Sequence, residues 1–371
     1  MKIATIADIH FNAVKPGILL KQLNDVFLEY LRNHEIDMVV IAGDYYDSII
    51  SLNSQSAIVS ITFMEHLMKI AEEKGIKYIR IIKGTSSHDN NQLENLRLFE
   101  KSSSVDLRIF DTVTSETLEG KDILYIPEEY MKNVGEYYEE YFSKTYDMIF
   151  GHGMFKETSF NAMKQESAIT LSKAPVFDSK MMSSICRGPI IFGHIHAACS
   201  IGKQITYVGS FSRWVYGEES PKGFLVTELT DKKFTNTFIE NTLAEKYDTA
   251  TTIVTESTSF EPESFIEKMK GLLKDHLRII IVLSGDKDYS YEIGFLREYY
   301  SRRPEYKLVI TDKSQVMRKV AQEEKIDELR EKYDFVFSPT IARTEKIHRF
   351  IKVRDKEEID ENEIKKVLRM T

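Results

Sequence analysis

The sequence predicts an α/β protein with more than one domain. Over the first 230 residues, short apolar runs rich in β-branched residues are each followed by a polar loop that carries Asp or His. Their length predicts buried strands at residues 3–7, 38–42, 78–82, 148–150 and 190–192. Stretches of helical periodicity lie between them. A chain of 371 residues with 42% hydrophobic composition can form one large core and smaller domains.

Two helices are predicted between the first strands. Residues 18–32 place apolar side chains on one side at helical spacing, namely Leu19, Leu23, Val26, Phe27, Tyr30 and Leu31. Residues 54–73 form the second helical stretch. From residue 204 to 229 the pattern changes to alternating strands with a loop between them, which predicts the closing edge of a first domain over residues 1–240.

The composition shifts after residue 240, which predicts a small α/β domain over residues 241–315. Its pattern is strand, helix, strand, helix, strand, at residues 251–255, 263–273, 278–283, 291–300 and 307–310. Residues 316–371 are predicted to be a charged linker that ends in a helix at 360–370. A helix this short is marginal alone, so its apolar stripe must pack on this chain or on a partner.

The bulk properties exclude several classes of protein. No apolar stretch at the N-terminus is long enough for a signal peptide or a membrane span, so we expect a cytoplasmic protein with no membrane partner. Cys186 and Cys199 are too few for a disulfide framework. The net charge of -8 argues against coating nucleic acid by bulk charge, so any contact with DNA must be local.

Five polar clusters follow five predicted strands directly. They are residues 8–10 (DIH), 43–47 (GDYYD), 84–89 (GTSSHD), 151–153 (GHG) and 193–196 (GHIH). The carboxyl ends of strands in α/β sheets are where ligands bind. One such cluster is as easily a capping Asp or a buried, hydrogen-bonded His. Five in succession, holding five of the nine histidines, indicate one shared site.

The donor types in these clusters indicate metal chemistry. Carboxylates and imidazoles without thiolates suit Mn, Fe or Zn better than a structural zinc site. Two ions about 4 Å apart can clamp a phosphate and generate a hydroxide that attacks phosphorus in line. One carboxylate must then reach both ions. Asp44 is the candidate bridge because the preceding Gly43 allows the backbone to come close.

In this order, the five clusters resemble those of the calcineurin-like metallophosphoesterase superfamily over about residues 1–200. Residues 207–210 (YVGS), 216–218 (YGE) and 221–224 (PKGF) are similar to the SbcD nuclease family, the partner of the SbcC coiled-coil ATPase, including its phage recombination-nuclease members. The resemblance implies a β-sandwich flanked by helices, with a small α/β capping domain and a C-terminal helical tail. It also implies DNA as substrate, a homodimer, and the host cytoplasm if a phage encodes the chain.

The resemblance also implies a role for each matching residue. Asp8, His10 and His196 would hold one metal, and His152 and His194 the other, with Asp44 between them. The family usually favours Mn. His88 would bind no metal but would stabilise the transition state or protonate the leaving oxygen, oriented by Asp47 or Asp89.

One departure from the family pattern affects the second metal. The family has Gly-Asn-His in the third cluster, where the Asn carbonyl is a metal ligand, whereas this chain has Ser87 before His88 after a longer loop. Ser87, a water, or Asn90 or Asn91 folding back are the candidate replacements. A weakened, degenerate site is the alternative, although every other position of the metal site is intact.

Further residues are weaker candidates for substrate binding. Tyr45 is a candidate for stacking on a base, although packing is the commoner role of such a Tyr. Arg213 and Trp214 follow a Gly-Ser turn and are candidates for touching substrate, with a core Trp as the other interpretation. Residues 341–354 carry five basic residues against one acidic residue, which suits a DNA or partner surface or a solvated face.

The sequence therefore predicts a metal-dependent exonuclease or endonuclease subunit of an SbcC–SbcD-like complex for DNA repair and recombination. Two alternatives remain open at this point. The first is a phosphomonoesterase or cyclic-nucleotide phosphodiesterase of the same superfamily. The second is a catalytically weakened subunit that binds DNA or the ATPase without cutting. The charged extension after the small domain favours the nuclease, because phosphoesterases of small substrates do not need it.

Overall fold

The computed structural model describes residues 1–101, 104–131, 133–158, 175–230, 233–255, 260–284, 288–312, 345–347 and 349. The chain folds into two compact units. The first comprises Met1–Thr249 and Leu272–Arg278, and the second comprises Ala250–Gly271 and Ile279–Thr371. The predicted linker and terminal helix of residues 316–371 lie almost wholly outside the described residues. The predicted domain limits at residues 240 and 315 stay predictions.

The strands, in chain order, are β1 (Lys2–Ile6), β2 (Met38–Ala42), β3 (Tyr78–Ile82), β4 (Asp106–Phe110), β5 (Thr114–Leu118), β6 (Lys121–Ile126), β7 (Met148–His152), β8 (Met154–Phe155), β9 (Val176–Phe177), β10 (Ile190–Gly193), β11 (Cys199–Ile201), β12 (Ile205–Tyr207), β13 (Gly223–Leu229), β14 (Phe234–Glu240), β15 (Tyr247–Thr255), β16 (His276–Ser284) and β17 (Tyr306–Asp312). The α-helices are α1 (Pro16–Gln22), α2 (Glu29–Asn33), α3 (Gln55–Lys74), α4 (Val134–Tyr137), α5 (Glu139–Phe142), α6 (Ser179–Ser184), α7 (Pro262–Leu272) and α8 (Ser290–Ser301). A π-helical segment, Leu23–Leu28, joins α1 to α2, and Gln92–Lys101 is 3₁₀-helical.

Two six-stranded sheets form the first unit. The first sheet has the order β14-β13-β1-β2-β3-β4, with β1 to β4 parallel and β13 antiparallel to β1. The second has the order β11-β12-β10-β7-β6-β5, in which β6, β7, β10 and β12 run parallel. This is the predicted β-sandwich. The antiparallel β13–β14 pair forms one edge of the first sheet, whereas the two strands predicted within residues 204–229 lie in different sheets, β12 in the second and β13 in the first.

The core between the sheets comes from both of them. Val40 on β2 and Ile82 on β3 belong to one buried cluster with Tyr125 on β6 and Phe150 on β7. The outer face of the first sheet is covered by α3 and by the helical stretch from α1 to α2. Apolar side chains on both faces explain why these parallel strands are continuous apolar runs in the sequence.

Local signals set the limits of the longest helix, α3. The Ser54 hydroxyl accepts a hydrogen bond from the Ala57 N–H at 3.2 Å, which caps the first turn. Gly75 has φ 70°, a left-handed conformation that ends the helix at little cost. None of the helices in the described part of the chain is both long and apolar enough to cross a bilayer.

The second unit is built on a three-stranded sheet of order β15-β16-β17. Its helices α7 and α8 alternate with the strands, so the five elements follow the predicted order. Ile266 and Met269 of α7, Ile279 of β16 and Leu296 of α8 are buried. These side chains provide the small core that the sequence pattern predicted.

Candidate metal centre

The polar clusters converge at the carboxyl ends of strands from both sheets. Asp8 and His10 follow β1, and Asp44 follows β2 in the first sheet. In the second sheet, His152 ends β7 and His194 follows β10. The site therefore lies where the ends of the two sheets meet, and neither sheet alone carries all its groups.

The described side chains form three groups that could each hold a metal ion. In the first, one ligand atom each from Asp8, His10 and His196 lies within 4.8 Å of the other two. In the second, the same holds for Asp44, His152 and His194. The third group adds His88 to His10 of the first group and Asp44 of the second, whereas the first two groups share no residue. Two neighbouring ions are the arrangement that these groups can hold.

Asp44 lies between the two groups. Its Oδ2 is 3.3 Å from Nε2 of His152 and 3.7 Å from Nε2 of His10. Asp44 is also only 3% exposed, so water does not satisfy its charge. This is the position that a bridging carboxylate would occupy.

Several of these residues have an unusual backbone conformation. Asp8 has φ 50°, His10 51°, Asp44 47° and His194 89°, all in the left-handed region that costs energy for residues other than glycine. The surrounding sheets must hold them there. Strain of this kind clusters at functional sites, because it positions side chains before a ligand arrives.

Two glycines allow the strand ends to approach each other closely. A Cβ on Gly43 would lie 2.1 Å from Nδ1 of His152, and a Cβ on Gly84 would lie 2.2 Å from Oδ1 of Asp44. No side chain fits at such distances. The glycines that begin the second and third clusters are therefore required to bring Asp44 and His152 together.

Hydrogen bonds on the far side of each ring orient the imidazoles. Nδ1 of His152 donates to the Ala42 carbonyl at 2.9 Å, and Nδ1 of His196 lies 3.1 Å from Oε1 of Glu218. A metal-binding His is commonly held this way, because the bond fixes the tautomer and leaves the other nitrogen for the metal. Both Nε2 atoms are thus directed to the site.

The described residues fit divalent cations. Nε2 of His10 and Nε2 of His152 are buried and have no hydrogen-bond partner within the part of the chain that the structure describes. Burial opposes a charge on His152, but Asp44, Asp8 and Glu128 outweigh it and raise its pKa well above the usual value. A site that concentrates buried carboxylates around partnerless nitrogens is stabilised by bound cations.

His88 lies beside the site, as expected, but its expected orienting residues do not contact it in the expected way. Its half-buried ring is 4.9 Å from that of His10, centroid to centroid. Asp47 instead places Oδ1 3.3 Å from Nδ1 of His10. The Asp89 carboxylate accepts hydrogen bonds from the Gly84 N–H at 2.7 Å and the Tyr46 N–H at 3.0 Å. Asp89 therefore joins two loops and does not orient His88.

Burial and the charge of Asp44 raise the pKa of Asp89 to about 7. The pKa of His88 is lowered, mainly by burial. A neutral His88 retains one N–H donor and one lone pair. It can therefore both donate to and accept from a group placed between it and the metal ligands.

The sequence patterns did not identify a carboxylate that lies beside the second group. Glu128 follows β6, is 2% exposed, and its Oε2 lies 3.2 Å from Nδ1 of His194 and 3.8 Å from Nε2 of His152. Ser87, the expected replacement ligand, is exposed. Thr85 faces the site instead, with Oγ1 3.1 Å from Oε2 of Glu128. No motif signalled Glu128, since the segment after β6 lacks the Gly and His of the other clusters.

Two expected substrate contacts lie in the protein interior. Tyr45 is fully buried and donates its hydroxyl to the Ser60 carbonyl at 2.7 Å, so it cannot stack on a base. The Arg213 guanidinium donates to the carbonyls of Glu218, Ser220 and Ala244 and is 8% exposed, so it organises the loop after β12. The candidate roles of Tyr45 and Arg213 in substrate binding are therefore wrong, and for Tyr45 the commoner role, packing, is the one observed.

Trp214 lines the first group. Its ring centroid is 4.7 Å from that of His10 and 5.0 Å from that of His196, and its side chain is half-buried. It packs against the rings of two metal-binding candidates, which limits their rotation. The site thus has an aromatic wall on the side of the first group.

The sequence matches the model of a known protein family. The model of the calcineurin-like phosphoesterases matches residues 1–198, more than half of the 371 residues. The chain therefore belongs to the calcineurin-like phosphoesterase family. Divalent metals serve this family, and the matched residues include Asp8, His10, Asp44, His152 and His196 of the two groups.

A relative extends the similarity beyond that segment. The chain is similar to the SbcD component of the SbcCD nuclease of Staphylococcus saprophyticus, with 24% identity over 267 residues. The match covers 64% of this chain and 68% of that protein. The sequence therefore resembles a metallophosphoesterase of SbcD type.

Solved structures resemble this one only loosely. A mutant of a cold-active protein tyrosine phosphatase has a TM-score of 0.32 and 13% identity, covering 65% of this chain and 78% of that one. A protein of unknown function from Aquifex aeolicus has a TM-score of 0.21 and 14% identity, covering 50% and 93%.

Proposed function

We propose that this chain is the metal-dependent DNA nuclease subunit of an SbcC–SbcD-like complex for DNA repair and recombination. The observation that carries the proposal is the pair of buried ligand groups, Asp8–His10–His196 and Asp44–His152–His194, with Asp44 between them. Similarity to an SbcD nuclease component supports phosphodiesters of DNA as the substrate class.

In this proposal, Asp8, His10 and His196 bind one divalent ion, and His152 and His194 bind the other, with Asp44 shared. Mn is the proposed metal because the family usually favours it, while carboxylates and imidazoles without thiolates suit Mn, Fe or Zn. When bound, the two ions supply Lewis acidity to the phosphate and lower the pKa of a water nucleophile. The protein holds the ligands in place through the strained backbone at Asp8, His10 and Asp44.

His88 is the proposed catalytic residue outside the metal ligands. Its half-buried ring borders the first group and has a neutral form favoured by burial. From there its N–H can donate to an oxygen of the phosphate as negative charge develops, or transfer a proton to the leaving oxygen. Asp47 acts on His10 in this proposal, not on His88.

The proposed partners are DNA, an SbcC-like ATPase and a second copy of this chain, in the cytoplasm. The charged residues 316–371 are the proposed ATPase-binding region, and the predicted helix at 360–370 would dock in a groove of the coiled coil. Residues 1–240 would be the nuclease domain and 241–315 the capping domain. With a net charge of -8, DNA binding would depend on local contacts and bound metal.

The test compares substrates with one purified preparation. Linear duplex DNA, nitrophenyl phosphate esters and cyclic nucleotides are incubated with Mn, with Mg, or with a chelator, beside Asp44→Ala. We expect Mn-dependent cleavage of DNA that Asp44→Ala abolishes together with bound metal, because both ions lose a shared ligand. Hydrolysis of the small esters without DNA cleavage would favour the small-substrate alternative. DNA binding without cleavage would favour a non-cutting recombination subunit.

A further inference from the structure

A carboxylate that no sequence motif assigns lies beside the second ligand group, and we propose that this residue, Glu128, is a direct ligand of the second metal ion. This inference rests on the proposed dinuclear site. Glu128 follows β6 and places its buried side chain among Asp44, His152 and His194. A carboxylate oxygen would then complete the coordination of an ion that otherwise lacks the amide typical of this loop.

The distances between the atoms support coordination of one ion. Oε2 of Glu128 is 3.2 Å from Nδ1 of His194 and 3.8 Å from Nε2 of His152, and Oδ2 of Asp44 is 3.3 Å from the same Nε2. Adjacent ligands of an ion with bonds of about 2.1 Å lie about 3.0–3.6 Å apart. Two of these distances fall within that range and the third, 3.8 Å, is slightly longer, so a small shift of the Glu128 carboxylate brings the donors around one ion.

Thr85 shows why a carboxylate is needed here. It follows Gly84, the glycine that begins the third cluster, and its Oγ1 lies 3.3 Å from Oδ2 of Asp44 and 3.1 Å from Oε2 of Glu128. Its backbone N–H also donates to Oδ1 of Asp44 at 2.6 Å. Thr85 thus contacts both carboxylates, but its side chain has no carbonyl oxygen that could bind the ion as that of an Asn does.

The competing role for Glu128 is to orient His194 without touching metal, as Glu218 faces Nδ1 of His196. Such a role requires only the contact with His194. It leaves unexplained why Oε2 also approaches Nε2 of His152, the nitrogen left for metal after Nδ1 donates to Ala42. The approach of one carboxylate oxygen to His194 and to the free nitrogen of His152 favours direct coordination.

A ligand swap separates the two roles. An Asn at position 85 supplies a carbonyl oxygen near the ion but cannot replace a carboxylate that orients His194. Thr85→Asn is therefore combined with Glu128→Ala in the full-length protein. The neighbouring Glu129 is the matched control, because its carboxylate accepts from the Val113 N–H at 3.0 Å and the Tyr137 hydroxyl at 2.7 Å, away from the histidines.

Metal-free protein is titrated with MnCl2 by calorimetry, and coupling between the two ions is followed by electron paramagnetic resonance. We expect two equivalents in the wild type and in Glu129→Gln. Glu128→Ala should weaken the second equivalent by at least about 100-fold and remove the coupled signal. Adding Thr85→Asn to Glu128→Ala should restore the second equivalent of Mn and the coupled signal. Glu128→Gln keeps the side-chain volume and should weaken the second site by at least about tenfold, with unchanged thermal unfolding.

The assignment is overturned if Glu128→Ala binds two ions with unchanged affinity, if Thr85→Asn fails to restore the second ion in a folded double variant, or if the wild type binds only one. Failure of the proposed function has a different result. A wild type that binds two coupled ions but cuts no DNA would remove the nuclease proposal and leave Glu128 as a ligand.

Discussion

Oε1 of Glu218 lies 3.1 Å from Nδ1 of His196 and 3.5 Å from Nζ of Lys222. Glu218 and Lys222 are both fully buried at their side chains, and Lys222 also donates to the Ser210 hydroxyl at 2.7 Å. Burial lowers the pKa of Lys222 to about 8, with Glu218 opposing that shift. The segment after β12 thus holds a metal-ligand candidate through a buried ion pair.

Glu218→Gln should lower the Mn affinity of the first site by about 10–100-fold, because the amide holds the His196 ring less firmly and makes its nitrogen less basic. It should also lower the Tm, since Lys222 loses its buried counter-ion. Calorimetric titration and thermal unfolding measure the two effects. The double variant Glu218→Gln/Lys222→Met should recover the Tm, because no buried charge is left unpaired. Its Mn affinity should stay as low as that of Glu218→Gln. Unchanged affinity in the single variant would mean that Glu218 only packs.

His88→Ala should leave bound metal and DNA affinity unchanged and lower kcat by about 10²–10⁴-fold, because its contribution arises in the transition state. Metal analysis, DNA binding and single-turnover cleavage are the measurements. His34→Ala, an exposed His stacked on Tyr30, is the matched control. If His88→Ala loses a metal equivalent, His88 is a ligand, since it also lies within 4.8 Å of ligand atoms of His10 and Asp44.

Asp89→Ala should destabilise the protein by about 2–4 kcal/mol, because it leaves the buried N–H groups of Gly84 and Tyr46 without an acceptor. Chemical denaturation of metal-free protein measures the free energy of unfolding. Asp111→Ala, which removes a surface ion pair with Arg97, should cost less than about 1 kcal/mol. A stable Asp89→Ala variant with reduced kcat would restore the role of orienting His88.

Mn affinity should rise as the pH rises from about 6 to 8. Burial opposes a proton on His152 and on His10, but the surrounding carboxylates raise the pKa of both above the usual 6.5, so in metal-free protein these rings bind protons near neutral pH. Metal must displace those protons, which gives a change of about tenfold per pH unit for each proton released. Calorimetric titration with Mn in buffers of different ionisation enthalpy gives the number of protons released. A pH-independent affinity would contradict this proton competition.

The sequence by itself indicated strands β1 to β3 of the first sheet, but not β4 or β14, and it indicated the polar clusters at the strand ends. Runs such as residues 38–42 are buried on both faces, so their apolar composition marks them as strands without reference to any partner. Asp8, Asp44 and His152 stand at strand ends, the latter two beside glycines, and that local pattern is visible in the chain. Its physical basis is that strand ends of parallel sheets gather ligands.

Only the tertiary structure decided which polar side chains face the metal site. Glu128 and Glu129 are neighbours in sequence, yet one meets His194 and the other meets Tyr137. The sequence left Tyr45 with two roles, stacking on a base or packing, and the fold buries it. Burial and hydrogen bonding arise from residues distant in the chain, as when Asp89 reaches Tyr46. Local sequence patterns carry no information about such contacts, so they emerge only when the two sheets pack together.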